Sequence, residues 1–245
     1  MIDEAILKNK NCFISGAAGG LGECFTRKMA KEGANLFLTD VNETKLEKIK
    51  NDIESSGAGK IKIFYAFGNF EKLDDIYKIM DTAKNTIGNI DILINCIGIN
   101  QAKPFIESTI EEYEKMMDIN VRVPYVLCST FCKDMIKNNW GRIINLGSTT
   151  SYEVAPSVPL YSISKHAVLG LNRILSKDFS KYNVRSICIS PAAFQSDMGR
   201  DVVRRGKAIW EDLLDPEEIV DYATYAMKLN STMISDEIRL NMLPK

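Results

Sequence analysis

Tyr161 and Lys165 stand four residues apart in the stretch Tyr161-Ser162-Ile163-Ser164-Lys165. On a helix that spacing puts both side chains on one face, one turn apart. A phenol can pass a proton to or from an oxygen, but its ordinary pKa of about 10 lies far above neutrality. An ammonium one turn away favours the phenolate, which suits Tyr161 to acid–base work on an alcohol or carbonyl oxygen in either direction. Ser148 lies 13 residues upstream, at the end of an apolar run, and adds a hydroxyl. A Tyr-x-x-x-Lys pattern is common by chance. Its weight here comes from its place, at the start of a long helical stretch after a strand.

A second group of residues points to a phosphate. The apolar run Asn11 to Ser15 passes into Gly16-Ala17-Ala18-Gly19-Gly20-Leu21-Gly22, which opens a helix. Glycines permit backbone conformations closed to other residues and let the main chain approach a pyrophosphate without a Cβ in the way. The helix start then supplies unpaired N–H groups and the positive end of the helix dipole. Asp40 ends the next apolar run, 18 residues beyond Gly22. A carboxylate there accepts hydrogen bonds from an adenosine ribose and repels a 2′-phosphate. Val41 follows it, Ala17 and Ala18 occupy the loop, and no Arg or Lys stands beside it, so the cofactor expected is NAD rather than NADP.

The elements that must hold these residues alternate from end to end. Expected strands cover Asn11–Ser15, Asn35–Thr39, Ile61–Phe67, Asp91–Asn95, Arg142–Leu146, Val184–Ser190 and Glu237–Leu240. Between them lie helices over Leu21–Glu32 (closed by Gly33), Asn42 to about Ser56 (broken by Gly57 and Gly59), Lys72–Thr86, Thr109–Asn138, Leu160–Tyr182 and Pro216–Leu229. Asn42 and Asp215 are expected caps, and Pro124 is expected to kink or divide the long fourth helix. Mostly apolar strands separated by helices imply an α/β, doubly wound parallel sheet of about seven strands, a Rossmann fold with helices on both faces.

Bulk composition narrows the function. The 245 residues are 45% hydrophobic, enough for one full core, and are read as a single domain over 1–245. Thirty-one Lys and Arg against 32 Asp and Glu leave a net charge of -1, with no pull toward nucleic acid or an anionic membrane. The start, Met1 to Lys10, has no apolar run of signal-peptide length, and no stretch of eighteen apolar residues occurs, so a soluble cytoplasmic protein is expected. The six cysteines form no Cys-x-x-Cys pair and the only histidine, His166, is remote from Cys128 and Cys132. They read as small buried hydrophobes, with no metal site.

The loop has the form Ser-Gly-x-x-x-Gly-x-Gly. With the Tyr161–Lys165 pattern, Ser148, and Asn120 within Asp118-Ile119-Asn120-Val121, it resembles the short-chain dehydrogenase/reductase family, specifically its compact "classical" members, from about Lys10 to Pro244. The resemblance implies an oxidoreductase that passes a hydride between NAD(H) and a secondary alcohol or carbonyl compound, with Asn120, Ser148, Tyr161 and Lys165 as the catalytic set. It implies that Lys165 also holds the nicotinamide ribose, that Ser148 donates to the substrate oxygen, and that Asn120 holds a water linking Lys165 to solvent. For the cofactor it implies contacts from Ser15, Gly16, Ala18, Gly20, Leu21, Gly22, Asp40, Asn69, Asn95, Gly98, Tyr161, Lys165, Pro191 and Ser196. Asn95-Cys96-Ile97-Gly98 stands where the family has Asn-Asn-Ala-Gly, and Ala192 replaces a glycine after Pro191. Asn69 or Gly68 replaces an Asp at the adenine, where the amide oxygen of Asn69 could still accept a hydrogen bond. Homodimers or homotetramers built on the helices Thr109–Asn138 and Leu160–Tyr182 are implied as well.

Ligands in such sheets bind beyond the carboxyl ends of the strands, which brings in Gly98–Pro104, Thr149–Leu160 and a lid over Phe194–Leu214. The lid carries Arg200, Arg204, Arg205 and Lys207, then Trp210. These cations either attract an anionic substrate, with Trp210 closing over its apolar part, or form a solvated helix face; the second is favoured. The chain end, Ile238 to Pro244, lacks the Asp-Gly-Gly common in acyl-carrier-protein reductases, which tilts the expectation to other carbonyl compounds. A non-catalytic NAD-binding sensor or scaffold on the same fold is the alternative.

Overall fold

A computed structural model describes residues 3–57, 61–229 and 233–243; Met1, Gly59 and Pro244 lie outside the described residues. Seven strands form one parallel sheet in the order β3-β2-β1-β4-β5-β6-β7. They are β1 Asn11–Ser15, β2 Asn35–Asp40, β3 Ile63–Phe67, β4 Ile92–Asn95, β5 Gly141–Leu146, β6 Val184–Pro191 and β7 Glu237–Leu240. The helices are α1 Gly20–Lys31, α2 Glu43–Ser55, α3 Leu73–Ile87, α4 Ile110–Met117, α5 Val123–Lys137, α6 Pro159–Phe179, α7 Asp197–Arg204 and α8 Pro216–Lys228. Successive side chains of a strand point to opposite faces, so β1 sends Ile14 into one apolar layer with Phe25, Leu46 and Met227, and Phe13 into the other with Phe37, Phe131 and Ile143. Both faces are therefore covered, and β6 is buried along its whole length.

The expected caps hold. Asn42 accepts from the Lys45 N–H at 3.0 Å and Asp215 from the Glu217 N–H at 2.8 Å. The helical region over 109–138 differs from expectation. It is divided by a π-helical turn over Asp118–Arg122, and Pro124 sits in the first turn of α5, directly after it. The last turn expected of the helix at 160–182 is instead a 3₁₀ turn over Ser180–Tyr182, ended by Asn183 in the left-handed region at φ 55°.

Because β1 pairs with both β2 and β4, the strand order reverses between β1 and β4, which opens a crevice at their carboxyl ends. Beneath that crevice runs a buried polar ladder. Asn95 donates to Asn145 Oδ1 at 2.9 Å, and Asn145 donates to Asn172 Oδ1 and Ser186 Oγ at 3.2 Å each. The Asn172 amide reaches the Asp236 carbonyl at 2.9 Å. The ladder ties the ends of β4, β5 and α6 together, and a partly satisfied network of this kind would be costly in such a low dielectric. No helix among the described residues is long and apolar enough to cross a membrane. The described residues contain no group of three or more His, Cys, Asp and Glu side chains placed to hold a metal ion.

Candidate active site

Ser148 follows β5 in extended conformation and caps a short 3₁₀ turn over Thr149–Ser151. Its oxygen accepts the Thr150 N–H at 3.2 Å, while the Ser151 hydroxyl accepts the Ser148 N–H at 3.1 Å. The Ser148 proton is left to donate, and the Ser148 hydroxyl beside the Tyr161 phenol favours ionisation. Tyr161 lies in the first turn of α6 and Lys165 one turn on, its Nζ 5.5 Å from the Tyr161 ring centre. All three side chains line one cavity of about 420 Å³.

The electrostatics differ from the sequence expectation. Burial dominates Tyr161 and pushes its pKa up to about 12, with the Ser148 hydrogen bond acting the other way. The Lys165 ammonium donates to the Leu146 carbonyl at 2.6 Å. Lys165 itself is 2% exposed, and burial lowers its pKa from 10.5 to about 8. At neutral pH the pair therefore stands as a protonated phenol beside a buried ammonium, a form suited to delivering a proton to a developing alkoxide.

A buried ammonium has three donors, and among the described residues Leu146 is the acceptor for Lys165. Its cost in the fold follows from the sign of the shift. The unfolded chain binds more protons than the folded one between about pH 8 and 10.5, so unfolding free energy rises with pH across that window and is flat below it. Lys165→Met is accordingly expected to stabilise the ligand-free protein at pH 7 by up to about 3 kcal/mol, less the lost bond to Leu146. In a melting experiment that is a rise of roughly 5 °C, and a lower Tm would refute the electrostatic account.

Asn120 lies in the π-helical turn, buried at 1% exposure. Its Oδ1 accepts the Ile99 N–H at 2.8 Å, and its Nδ2 donates to the Ile99 carbonyl at 3.0 Å and to Ser164 Oγ at 2.9 Å. The side chain thus clamps the loop after β4 to α6. A Cβ on Gly98 would lie 3.5 Å from Asn120 Oδ1 and 3.6 Å from Lys165 Nζ, so this position lies between the two side chains. Both ends of the Asn120 amide are engaged by these protein groups.

The glycine loop divides into two roles. Gly16 has φ +70°, and a Cβ on it would come within 2.7 Å of Ile97 N. A Cβ on Gly22 would overlap the Gly16 carbonyl. These two are required by the protein's own backbone. Gly20 instead faces the lid, where a Cβ would fall 2.9 Å from Ser196 Cβ. Gly20, Leu21, Gly22, Gly98, Pro191 and Ser196 line the same cavity as Tyr161, and the N-terminus of α1 there has no side-chain cap. Ala18 donates its N–H to Asp40 Oδ2 at 3.1 Å, and Asn42 N–H to Oδ1 at 3.1 Å, which fixes the carboxylate at the end of β2. An uncapped helix start, a gap that a Cβ would fill and a buried ammonium with unused donors together fit a dinucleotide. Lys165 and the glycine loop would hold it.

Several expected contacts are engaged elsewhere. Ser15 and Asn95 lie under the crevice, with Ser15 Oγ 3.4 Å from Asn95 Oδ1, so both act in the polar ladder. Asn69 cannot offer its amide oxygen freely, because it accepts the Glu71 N–H at 3.0 Å in a turn ahead of α3. The Ser196 hydroxyl caps α7 through the Gly199 N–H at 3.1 Å and bonds to the Phe194 carbonyl at 3.2 Å. Ala192 is harmless in place of glycine: its φ is not positive, and its N–H extends the ladder to Leu240 at 2.7 Å. Trp210 stacks under Arg200 at 4.5 Å and does not line the Tyr161 cavity. Asn100, Asn145, Thr150 and Asn172 are further polar residues of the site. A polar residue inside the apolar run of β5 was the available signal for Asn145; Asn172 has none, since its partners are distant in sequence, and Asn100 and Thr150 have none because only the fold buries them.

A family model described as short chain dehydrogenase matches residues 10–206. An uncharacterised oxidoreductase of Staphylococcus saprophyticus is 26% identical over 232 residues, 95% of this chain and 97% of that one. The 3-oxoacyl-[acyl-carrier-protein] reductase FabG of Chlamydia muridarum is 25% identical over 240 residues, 96% of each chain. Among solved structures, an alcohol dehydrogenase of the archaeon Thermococcus sibiricus, complexed with 5-hydroxy-NADP, superposes with a TM-score of 0.83 at 22% identity. It covers 94% of this chain and 95% of that one.

Proposed function

The chain belongs to the short-chain dehydrogenase family of oxidoreductases, and on that premise we propose that it passes a hydride between NAD(H) and a secondary alcohol or carbonyl compound, with Tyr161 as the proton donor and acceptor. The observation that carries this reading is the convergence of Ser148, Tyr161 and the under-satisfied Lys165 ammonium on the cavity that the glycine loop also lines. The nicotinamide supplies the hydride. The chain's own residues hold the substrate oxygen between the Ser148 hydroxyl and the Tyr161 phenol and deliver or remove its proton. Lys165 replenishes the positive field beside them, and Asn120 positions the Ile99 loop against α6.

The choice of NAD rests on Asp40. Its carboxylate is held at the end of β2 by two backbone N–H groups. Two cations on the neighbouring helices are occupied: Lys45 pairs with Glu23 at 3.3 Å and Arg27 with Asp52 at 3.1 Å. A 2′-phosphate beside Asp40 would thus meet a like charge, with Lys45 and Arg27 already paired. Asp40→Asn is expected to lower the NADH-over-NADPH ratio of kcat/KM at least tenfold, about 1.4 kcal/mol. An unchanged ratio would place the discrimination elsewhere.

The test of the reaction is oxidation of NADH, with NADPH in parallel, against hydroxysteroid, sugar, keto-acid and small-ketone carbonyl compounds. Turnover with NADH supports the proposal. Tight NADH binding without turnover of any compound would favour the binding-only alternative. Since Lys165 must carry its proton, carbonyl reduction should decline as pH rises through about 8. We also place the protein in the cytoplasm as a homo-oligomer; Ile110, Tyr125, Ile163 and Ile174 leave an exposed apolar surface on α4, α5 and α6 that a second copy would cover.

A further inference from the structure

Four cations crowd the lid, and the structure separates them. Arg200 stacks on Trp210 and lies 3.9 Å from Asp197, and Arg204 pairs with Asp201 at 2.8 Å. Arg205 and Lys207 have no carboxylate partner among the described residues. Both line the cavity that holds Tyr161, Ser148 and Lys165, whereas Arg200 and Arg204 do not. The chain geometry puts them there. α7 ends with Gly206 in the left-handed region at φ +66°, its N–H on the Val203 carbonyl and that of Lys207 on the Val202 carbonyl. This closing turn folds Lys207 back beside Arg205.

Cations at a helix C-terminus are stabilised by the dipole in any protein, so position on α7 alone says nothing about a ligand. The cavity does. Asn100 and Arg205 line both the Tyr161 cavity and the adjoining cleft under α7, and Asn100 Oδ1 is buried there with no hydrogen-bond partner. Thr150 Oγ1, on the Ser148 side of the cavity, is likewise buried and unpartnered. Asp197 also lines the cavity, but its side chain is fully exposed and sits nearest Arg200. The lid side of the cavity is therefore cationic and polar, whereas Val158, Phe194, Met198 and Val202 make its walls apolar. At about 420 Å³, shared with the nicotinamide end of a cofactor, the space admits a short substrate.

We propose that the substrate is a short carbonyl or alcohol compound bearing an anionic group, carboxylate or phosphate, which Arg205 and Lys207 hold at the lid side of the cavity lined by Tyr161, Ser148 and Asn100. The proposal rests on the oxidoreductase reading and names the substrate class of that same site. A planar guanidinium can engage either anion through two parallel hydrogen bonds, and Lys207 adds a point charge.

The test uses two matched pairs, acetoacetate with methyl acetoacetate and dihydroxyacetone phosphate with dihydroxyacetone. Binding to the protein–NADH complex is read from NADH fluorescence and turnover from NADH oxidation, for the parent and for the double variant Arg205→Gln, Lys207→Gln. The expected result is at least a tenfold preference for the charged member of one pair. The variant should lose it through KM, with kcat for the neutral member and NADH affinity each within about twofold of the parent. The pair that shows the preference tells carboxylate from phosphate. Equal handling of both members of both pairs, in binding and turnover, overturns the proposal, as does a preference that survives in the variant. A tenfold loss of NADH affinity in the variant also overturns it, because the cations would then serve the cofactor's phosphates. Reduction of the neutral ketones without charge preference leaves the oxidoreductase reading standing. Charge-selective binding lost in the variant, with no turnover of anything, keeps the anion site and removes the carbonyl-reductase reading.

Discussion

Tyr161→Phe is expected to lower turnover by about a thousandfold while leaving NADH affinity within about threefold of the parent. The substitution removes one oxygen from a ring held at the start of α6, so the shape of the cavity is kept. What disappears is a neutral proton donor that lines the cavity together with Ser148. Lys165 cannot take its place directly, since its ammonium is directed to the Leu146 carbonyl. Stability should change by less than about 1 kcal/mol, because the loss is one neutral hydrogen bond. Measurement of kcat by NADH oxidation and of Kd by NADH fluorescence separates the two quantities. A Phe variant that retains a tenth of parental kcat would remove Tyr161 from the chemistry.

Gly22→Ala and Gly20→Ala should part company although both lie in the same loop. At Gly22 the added Cβ overlaps the Gly16 carbonyl and comes within 2.9 Å of Ala17 Cα, so backbone must move. Overpacking of that kind costs up to about 3 kcal/mol, a fall in Tm of roughly 5–10 °C for a chain of this size, and NADH affinity should drop at least tenfold with it. At Gly20 the Cβ meets Ser196 Cβ at 2.9 Å and the Phe194 ring at 3.5 Å, both on the lid rather than in the loop itself. Here Tm should hold within about 2 °C while NADH affinity falls, because the methyl occupies the gap between loop and lid. If Gly22→Ala melts with the parent, the close approach seen at Gly16 is not a constraint on the fold.

Much of the site was legible because its signals are local. Asn42 and Asp215 cap the helices that their position announced. Gly33 takes the left-handed conformation expected at the end of α1. Tyr161 and Lys165 share a helix, and four residues on a helix always face one way. The departures arose where a side chain had to choose among partners. Asn69 turned its oxygen to Glu71, Ser196 capped α7, and Lys165 turned its ammonium to the Leu146 carbonyl. Pro124 marked a real boundary in the helix over 109–138, but the break itself is the π-helical turn that carries Asn120.

By itself, the amino-acid sequence determined the alternation of strand and helix, the glycine loop at the first turn, and the order of Ser148, Tyr161 and Lys165. All of these follow from periodicity, backbone permissiveness and spacing within single elements. Only the tertiary structure decided that burial raises the pKa of Tyr161 and lowers that of Lys165. It also decided that Asn145 and Asn172 complete a polar ladder under the crevice, and that two of the four lid cations lie on the cavity without a carboxylate. Those properties depend on how far each group is removed from water and on which charges stand beside it. Both are set by residues that β5, α6 and the lid bring together from distant parts of the chain.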